Sequence, residues 1–249
     1  MAANIWDTHC HADLFPDRQL LLRDCEAGAV GVFAVTTTPR AFSKNIEFFG
    51  ASDNFRVGLG LHPELATSRE ADLTLFESLM PQAAFVGEIG LDGRPHNRRT
   101  LEVQKQLLHV ILQLCSVRPT VLSLHSPFAV TPLLDVLEAD VPRNTTLKVL
   151  HWFSGSQREG KRASDLGCYF SVNEAMLRNE RGCHLVRTFP RERVLVETDG
   201  PFQYQGNQQL RPTDVGRCLP LLAELWSVTT QVAQNHVARN THHVLNHRA

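Results

Sequence analysis

The chain has no long hydrophobic run. None of its apolar stretches approaches the ~20 residues that span a bilayer. Its amino terminus, MAANIWDTHCH, lacks a charged segment followed by an apolar one, so no secretory leader is expected. It has no CxxC. Its six cysteines (Cys10, Cys25, Cys115, Cys168, Cys183 and Cys218) are widely spaced. They read as buried or free thiols of a reducing compartment, which points to the cytoplasm. An excess of either charge is absent too. The 25 Lys and Arg nearly balance the 26 Asp and Glu, leaving a net charge of -1. No global field recruits nucleic acid, so any such binding must come from local basic patches. Low-complexity tracts, linkers and short repeats are also missing. One domain over residues 1–249 is expected.

What is present is an alternation. Runs rich in Val, Ile, Leu and Phe take turns with longer stretches of helical period. That is the pattern of a parallel sheet covered on its outer face. Eight strands can be placed: Asn4–His9, Val30–Thr36, Arg56–Leu61, Ala84–Ile89, Thr120–His125, Thr146–His151, Gly167–Val172 and Arg193–Asp199. Helices are expected over Glu70–Met80, Leu101–Cys115, Asp214–Trp226 and Gln231–Leu245. In the second of these, Val103, Leu107, Leu108, Ile111 and Leu114 form an apolar stripe. The 249 residues match the ~250 of a typical (β/α)8 barrel. The expected fold is therefore α/β, a TIM barrel of the metal-dependent hydrolase type.

Six residues with metal-ligand chemistry close apolar runs: His9 and His11, Glu88, His125, His151 and Asp199. Repeated around a parallel barrel, such strand ends converge on one face. His9 and His11 form an HxH, whose alternate residues share a strand face. Chance alone gives about 0.6 such pairs in a chain of this composition, so the signal lies in position and partners. Cys10 between them reads as packing. Glu88 ends AFVGEIG, and one carboxylate can bridge two cations. Asp199 follows a fully apolar strand, where a charge is costly unless paired or bound to metal. Glu197 shares its face, either orienting a ligand imidazole or forming a salt bridge. His62, in GLGLHP, ends the third strand and reads as a ligand, a supporting group, a phosphate contact or a helix-start residue. His109 lies on an outer helix. His242, His243 and His247 lie on the last one, where a solvated face is expected.

Other side chains bear on substrate. Arg94, Arg98 and Arg99 follow the fourth strand, and Arg158, Lys161 and Arg162 follow the sixth. Both clusters are candidate phosphate contacts. Trp152 and Phe153, directly after His151, are placed to stack a base or to pack in the core. A mixed nitrogen and oxygen shell suits zinc or manganese; magnesium prefers all-oxygen surroundings, yet is common at phosphate sites.

The segments DTHCHADL, GLHP, GEIGLDG, LHWFSG and ETDGPF, in this order across Trp6–Phe202, resemble the TatD family of metal-dependent deoxyribonucleases. Asn240 ahead of Val244 and Leu245 is similar to the family's terminal helix. VTTTP after the second strand, the short GEIGLDG segment and ETDGPF resemble QatD, the TatD-like component of Qat anti-phage defence systems. The resemblance implies a TIM barrel, two divalent cations and 3′ to 5′ cleavage of single-stranded DNA, with other Qat proteins as partners. It implies one cation on His9, His11, Glu88 and Asp199, and the other on Glu88, His125 and His151. It places His62 near the scissile phosphate, and makes Glu88, His62 and Asp199 the catalytic residues. Two departures stand out. The family commonly has HSR where this chain has HSP, with Pro127 in place of the arginine, and GRPHNRR replaces the usual aromatic and acidic residues after GEIGLD. Other readings are an amidohydrolase-type enzyme, which would carry a carboxylated lysine at the position of Glu88, and a metal-stabilised non-catalytic subunit.

Overall fold

The structure, a computed structural model, describes residues 3–68, 70–118, 120–140 and 146–247. Eight parallel strands follow one another in chain order: β1 (Ile5–Cys10), β2 (Val30–Ala34), β3 (Phe55–Leu59), β4 (Phe85–Gly90), β5 (Thr120–His125), β6 (Thr146–His151), β7 (Tyr169–Val172) and β8 (Val194–Val196). This is the expected (β/α)8 barrel. Its seam is held by separate hydrogen bonds between β1 and the segment after β8. The Asp199 N–H donates to the His9 carbonyl at 3.0 Å, and the His11 N–H donates to the Gly200 carbonyl at 2.8 Å. Buried Asp7 accepts from the Thr198 N–H at 3.0 Å and from the Thr198 hydroxyl. The carboxyl ends of β1 and β8 are thereby locked together, and with them His9, His11 and Asp199.

Outside the strands lie α1 (Arg18–Ala27), α2 (Pro39–Phe49), α3 (Glu70–Leu79), α4 (Leu101–Cys115), α5 (Val130–Asp140), α6 (Gln157–Asp165), α7 (Glu174–Leu177), α8 (Glu180–Val186), α9 (Cys218–Trp226) and α10 (Thr230–Leu245). Local chemistry sets several starts. Thr38 caps α2 by accepting from the Ala41 N–H, with Pro39 in the first turn, where a missing N–H costs nothing. Ser156 and Glu159 form a reciprocal capping box on α6. The main apolar layer lies between strands and helices. A second cluster joins Phe33, Phe85, Val121, Val149, Tyr169 and Leu195 from six strands, with Val244 and Leu245 of α10 against it. The Phe33 and Phe85 rings, from non-adjacent strands, meet edge to face at 4.3 Å. Side chains therefore fill the barrel interior, and the last helix covers them.

Several boundaries and one helix face differ from the sequence expectation. The seventh strand starts at Tyr169 because Gly167 and Cys168 still bond back to α6, at Ser164 and Ala163. The eighth ends at Val196 because Asp199 turns to φ 53° and the chain joins β1. The Asp214–Trp226 helix begins only at Cys218, after a 3-10 turn over Pro212–Arg217. Pro220 has no N–H to bond four residues back, so it sits in the first turn of this helix, where none is required. In α4 the buried face is Gln104, Leu108, Ile111, Leu112 and Cys115, while Val103 is 43% exposed. Gln104 draws the face round: its carbonyl accepts the Asp92 N–H at 2.7 Å and its amide donates to the Asp92 carbonyl at 3.1 Å. A buried glutamine is invisible to a hydrophobic-stripe argument.

Candidate metal centre

The carboxyl ends of the strands open into a cleft of about 660 Å³. Glu88 is its central acid, 2% exposed in β4. Its N–H donates to the Thr36 carbonyl at 2.9 Å, and the pairing of β4 with β5 shifts between Val86 and Ile89. Such an irregularity re-aims a side chain. Gly60 of the next segment passes so close that a Cβ there would lie 1.6 Å from the Thr36 oxygen and 2.7 Å from the Glu88 nitrogen. Only glycine permits this approach.

The two oxygens of Glu88 face different partners. Oε1 lies 2.5 Å from His125 Nδ1, 2.9 Å from His151 Nε2 and 3.6 Å from His62 Nε2. Oε2 lies 3.2 Å from His11 Nε2 and 3.8 Å from His9 Nε2. Asp199 Oδ1 is 3.9 Å and 3.6 Å from those same two nitrogens. Among the described residues, three sets bring donor atoms within 4.8 Å of one another: His9, His11 and Asp199; His9, Glu88 and His151; His62, Glu88 and His125. The sequence expectation had paired His125 with His151 on Glu88; here His62 also stands in that half of the site.

The far side of each ring decides which nitrogen is free. His9 Nδ1 is 2.7 Å from the Ser123 hydroxyl; donating to it leaves the Nε2 lone pair for the centre. His125 is turned the other way. Its Nε2 lies 3.1 Å from Asp92 Oδ2, so its Nδ1 lone pair faces Glu88. His151 has Glu197 behind it, Oε1 at 3.8 Å from Nδ1. Glu197 is held by the Trp152 N–H at 3.0 Å and the Asn173 amide at 3.2 Å. His62 differs. Its Nδ1 accepts the Glu64 N–H at 3.2 Å, so in the neutral ring Nε2 carries the hydrogen and is a donor, not a lone pair.

Charges follow the same arrangement. Burial pushes Glu88 up, but the imidazoles of His62, His125 and His151 outweigh it and hold the carboxyl well below its usual range. Burial, helped by His151, pushes His9 well below an ordinary histidine, so it stays neutral. Burial raises the Asp199 carboxyl to about 7, against the pull of His151. Burial likewise opposes ionisation of Asp92, but hydrogen bonds from His125 and Arg94 prevail and lower it. Burial opposes a charge on His151, but Glu88 and Glu197 outweigh it and raise the imidazole well above its ordinary value, so a divalent ion binding there displaces a proton. His9 Nε2 is buried without a hydrogen-bond partner, and such an atom is costly unless something binds it. These residues fit a pair of divalent cations.

The other expected residues fall into two groups. Arg94, Pro127 and Trp152 line the cleft. Arg94 is fastened by its Nε to Asp92 at 2.8 Å and by Nη2 to Asp92 and to Glu64, the latter at 2.8 Å. Arg98 and Arg99 are exposed in a 3-10 turn and do not line the cleft. Phe153 is 1% exposed and packs on Phe170 and Phe189, so it is core and stacks no base. Lys161 pairs with Asp165 at 2.8 Å, and Arg162 with Asp135 and Glu138 at 2.7 Å and 2.6 Å. Arg158 is exposed and outside the cleft lining. His109 pairs with Asp140 at 2.8 Å on the outer layer. Cys10 is buried. Sequence reasoning missed Asp92, Ser123 and Phe202. Asp92 had a signal, an acid two residues beyond a strand end. Phe202 stands edge-on to His11 at 5.0 Å and is 56% exposed.

Comparison with known proteins settles the lineage. Residues 6–246 match the family of TatD related DNases. The chain belongs to that family. TatD-related DNases are hydrolases acting on phosphodiester bonds. The structure is similar to that of YJJV, a TatD homologue from Escherichia coli, with a TM-score of 0.88, 26% identity and 98% of each chain covered. The chain is 30% identical over 161 residues to the 3′-5′ ssDNA/RNA exonuclease TatD of Klebsiella pneumoniae, covering 61% of this chain and 60% of that one. It is 32% identical over 130 residues to the deoxyribonuclease Tat-D of Schizosaccharomyces pombe, covering 52% of this chain and 40% of that protein. These two alignments span less than two thirds of the relatives' lengths. No helix among the described residues is long and apolar enough to cross a membrane.

Proposed function

We propose that this TatD-family chain is a two-cation deoxyribonuclease that removes nucleotides from the 3′ end of single-stranded DNA. The observation that carries the reading is the division of Glu88, with Oε1 among His125, His151 and His62 and Oε2 between His11 and His9. The name of the Klebsiella pneumoniae relative supports polarity and strandedness.

His9, His11 and Asp199 with Glu88 would hold one cation, and His125 and His151 with Glu88 the other. Such a pair, of zinc, manganese or magnesium, supplies Lewis acidity to the phosphate and lowers the pKa of water. Asp199 Oδ1 takes the proton of the attacking water. His62 donates from Nε2 to a non-bridging phosphate oxygen, a role its bond from Glu64 prepares. Arg94, held by Asp92 and Glu64 beside Pro127, supplies the cationic contact that the HSP segment lacks. Arg98 and Arg99 reach the strand only beyond the cleft. Trp152 and Phe202 enclose the terminal base. Glu197 orients His151 through Nδ1. The unpaired cysteines suit the cytoplasm. The VTTTP and ETDGPF details support a place among Qat defence proteins, which co-purification with those proteins tests.

The direct test is a 5′-labelled single-stranded oligonucleotide incubated with metal-loaded protein. A ladder shortening from the 3′ end is expected and should vanish with chelator. An intact substrate, or one shortened from the 5′ end, overturns the reading.

A further inference from the structure

Beside the metal cleft lies a second cavity of about 470 Å³, and Ser154 lines both. The far cavity is bordered by Phe128, Thr131, Ser156, Glu159 and Arg181. Phe128 is 82% exposed, and its backbone stands at φ 55°, a region bulky residues rarely adopt. The Ala129 N–H donates to the Ser126 carbonyl at 3.0 Å, closing a turn with Pro127 second and Phe128 third. This is the type II pattern, whose third position favours glycine. The turn is also clamped from the β4 side. The Gly93 N–H donates to the Pro127 carbonyl at 2.9 Å, and a Cβ on Gly93 would lie 2.3 Å from the Phe128 oxygen. An exposed aromatic ring thus stands on a clamped backbone better suited to glycine, one residue from Pro127 of the cleft lining. Held backbone strain of this kind clusters at ligand clamps.

Arg181 faces it across the cavity. Its Nη2 donates to the Ser154 carbonyl at 3.2 Å, which fixes the guanidinium where the two cavities join. Among the described residues no salt bridge to Arg181 is formed, unlike Arg162 and Lys161 nearby. The acid on this stretch, Glu159, is already occupied. It accepts from the Ser156 N–H at 2.7 Å and hydroxyl at 2.8 Å, and from the Thr131 hydroxyl at 2.6 Å.

We infer that this cavity is the exit track of the single strand, in which Phe128 stacks a base upstream of the terminal nucleotide and Arg181 contacts the phosphate between them. The inference rests on the nuclease reading and deepens it. A ring offers every base a face, so the track holds a strand without reading sequence. In a chain with Pro127 at the usual arginine position, this stacking contact one residue along adds to the cationic contact of Arg94.

The test is binding of a labelled deoxythymidine decamer by fluorescence anisotropy, with bis(p-nitrophenyl) phosphate hydrolysis as a readout of the metal centre alone. Phe128→Gly suits the backbone and removes the ring; it should weaken decamer binding about tenfold. Phe128→Trp should retain binding. Arg181→Ala should weaken binding and lower the salt slope by roughly 0.7, the value for one phosphate of a single strand. All three should hydrolyse the small diester like the unaltered protein. Decamer affinity and salt slope unchanged in both Phe128→Gly and Arg181→Ala overturn the track, whatever the protein cleaves. Weakened binding in a protein that cleaves neither substrate supports the track and overturns the nuclease reading.

Discussion

Asp92 should control the affinity of one cation and leave the other alone. Its side chain is fully buried and accepts from His125 Nε2 at 3.1 Å, from the Arg94 N–H at 2.9 Å and from Arg94 Nε at 2.8 Å. The first of these contacts fixes the proton of His125 on Nε2, so that Nδ1 faces Glu88 Oε1 as a lone pair. Asp92→Asn keeps the shape but removes the charge. The amide then either accepts more weakly from His125 or presents its NH2 to that ring. In the second case the proton moves to Nδ1 and the ligand is lost. Loss of a supporting carboxylate of this kind costs roughly 10–100-fold in metal affinity, or about 1.4–2.7 kcal/mol. The arginine N–H remains satisfied by the amide carbonyl, so the fold should persist. Zinc titration against a chromophoric chelator reads two binding steps. The step assigned to His125 and His151 should weaken by that factor, and the step assigned to His9, His11 and Asp199 should not move. Equal weakening of both steps, or of neither, would refute the orientation argument.

Other outcomes follow from the same geometry. Glu88→Gln removes the charge shared by both cations; at about 4 kcal/mol for unit charges 4 Å apart in partly screened surroundings, the second ion should bind roughly a thousandfold more weakly and hydrolysis should collapse. His109→Gln, on the outer layer, should leave both unchanged, and comparable losses in the two variants would mean the site is misplaced. Burial pushes the Cys25, Cys115 and Cys168 thiols up to about 12 and raises Cys10 and Cys218 as well. Native protein should therefore expose one fast-reacting thiol to a disulfide reagent, Cys183, and unfolded protein all six. Two or more fast thiols in the native state would contradict the packing described here.

The barrel and its candidate site were legible because two patterns coincide. The strands are largely runs of buried apolar residues, and each candidate ligand lies at or near the carboxyl end of one. His125 and His151 close β5 and β6 at the predicted residue, since TVLSLH and LKVLH leave little choice of boundary. What escaped is whatever depends on a long-range contact. Gln104 joins a buried helix face only because the Asp92 backbone bonds to it. The end of β8 is set by β1, nearly two hundred residues away, through Asp7 and His9. Phe153 and Trp152 are neighbours with the same chemistry, yet one is core and the other lines the cleft. Phe128 carries no signal of its own in the sequence, and its exposure is seen only in the structure. The arginine-rich segments read as phosphate contacts. The carboxylates that occupy Arg162 lie on another helix, where sequence spacing does not reveal them.

The central claim is that Glu88 bridges two divalent cations, and anomalous scattering from a crystal of metal-loaded protein tests it most directly. The account predicts two peaks per chain about 3.5–4 Å apart, one beside each oxygen of Glu88, with His9, His11 and Asp199 around the first and His125 and His151 around the second. A single peak, or a pair that Glu88 does not touch, in protein that retains full hydrolytic activity would contradict it.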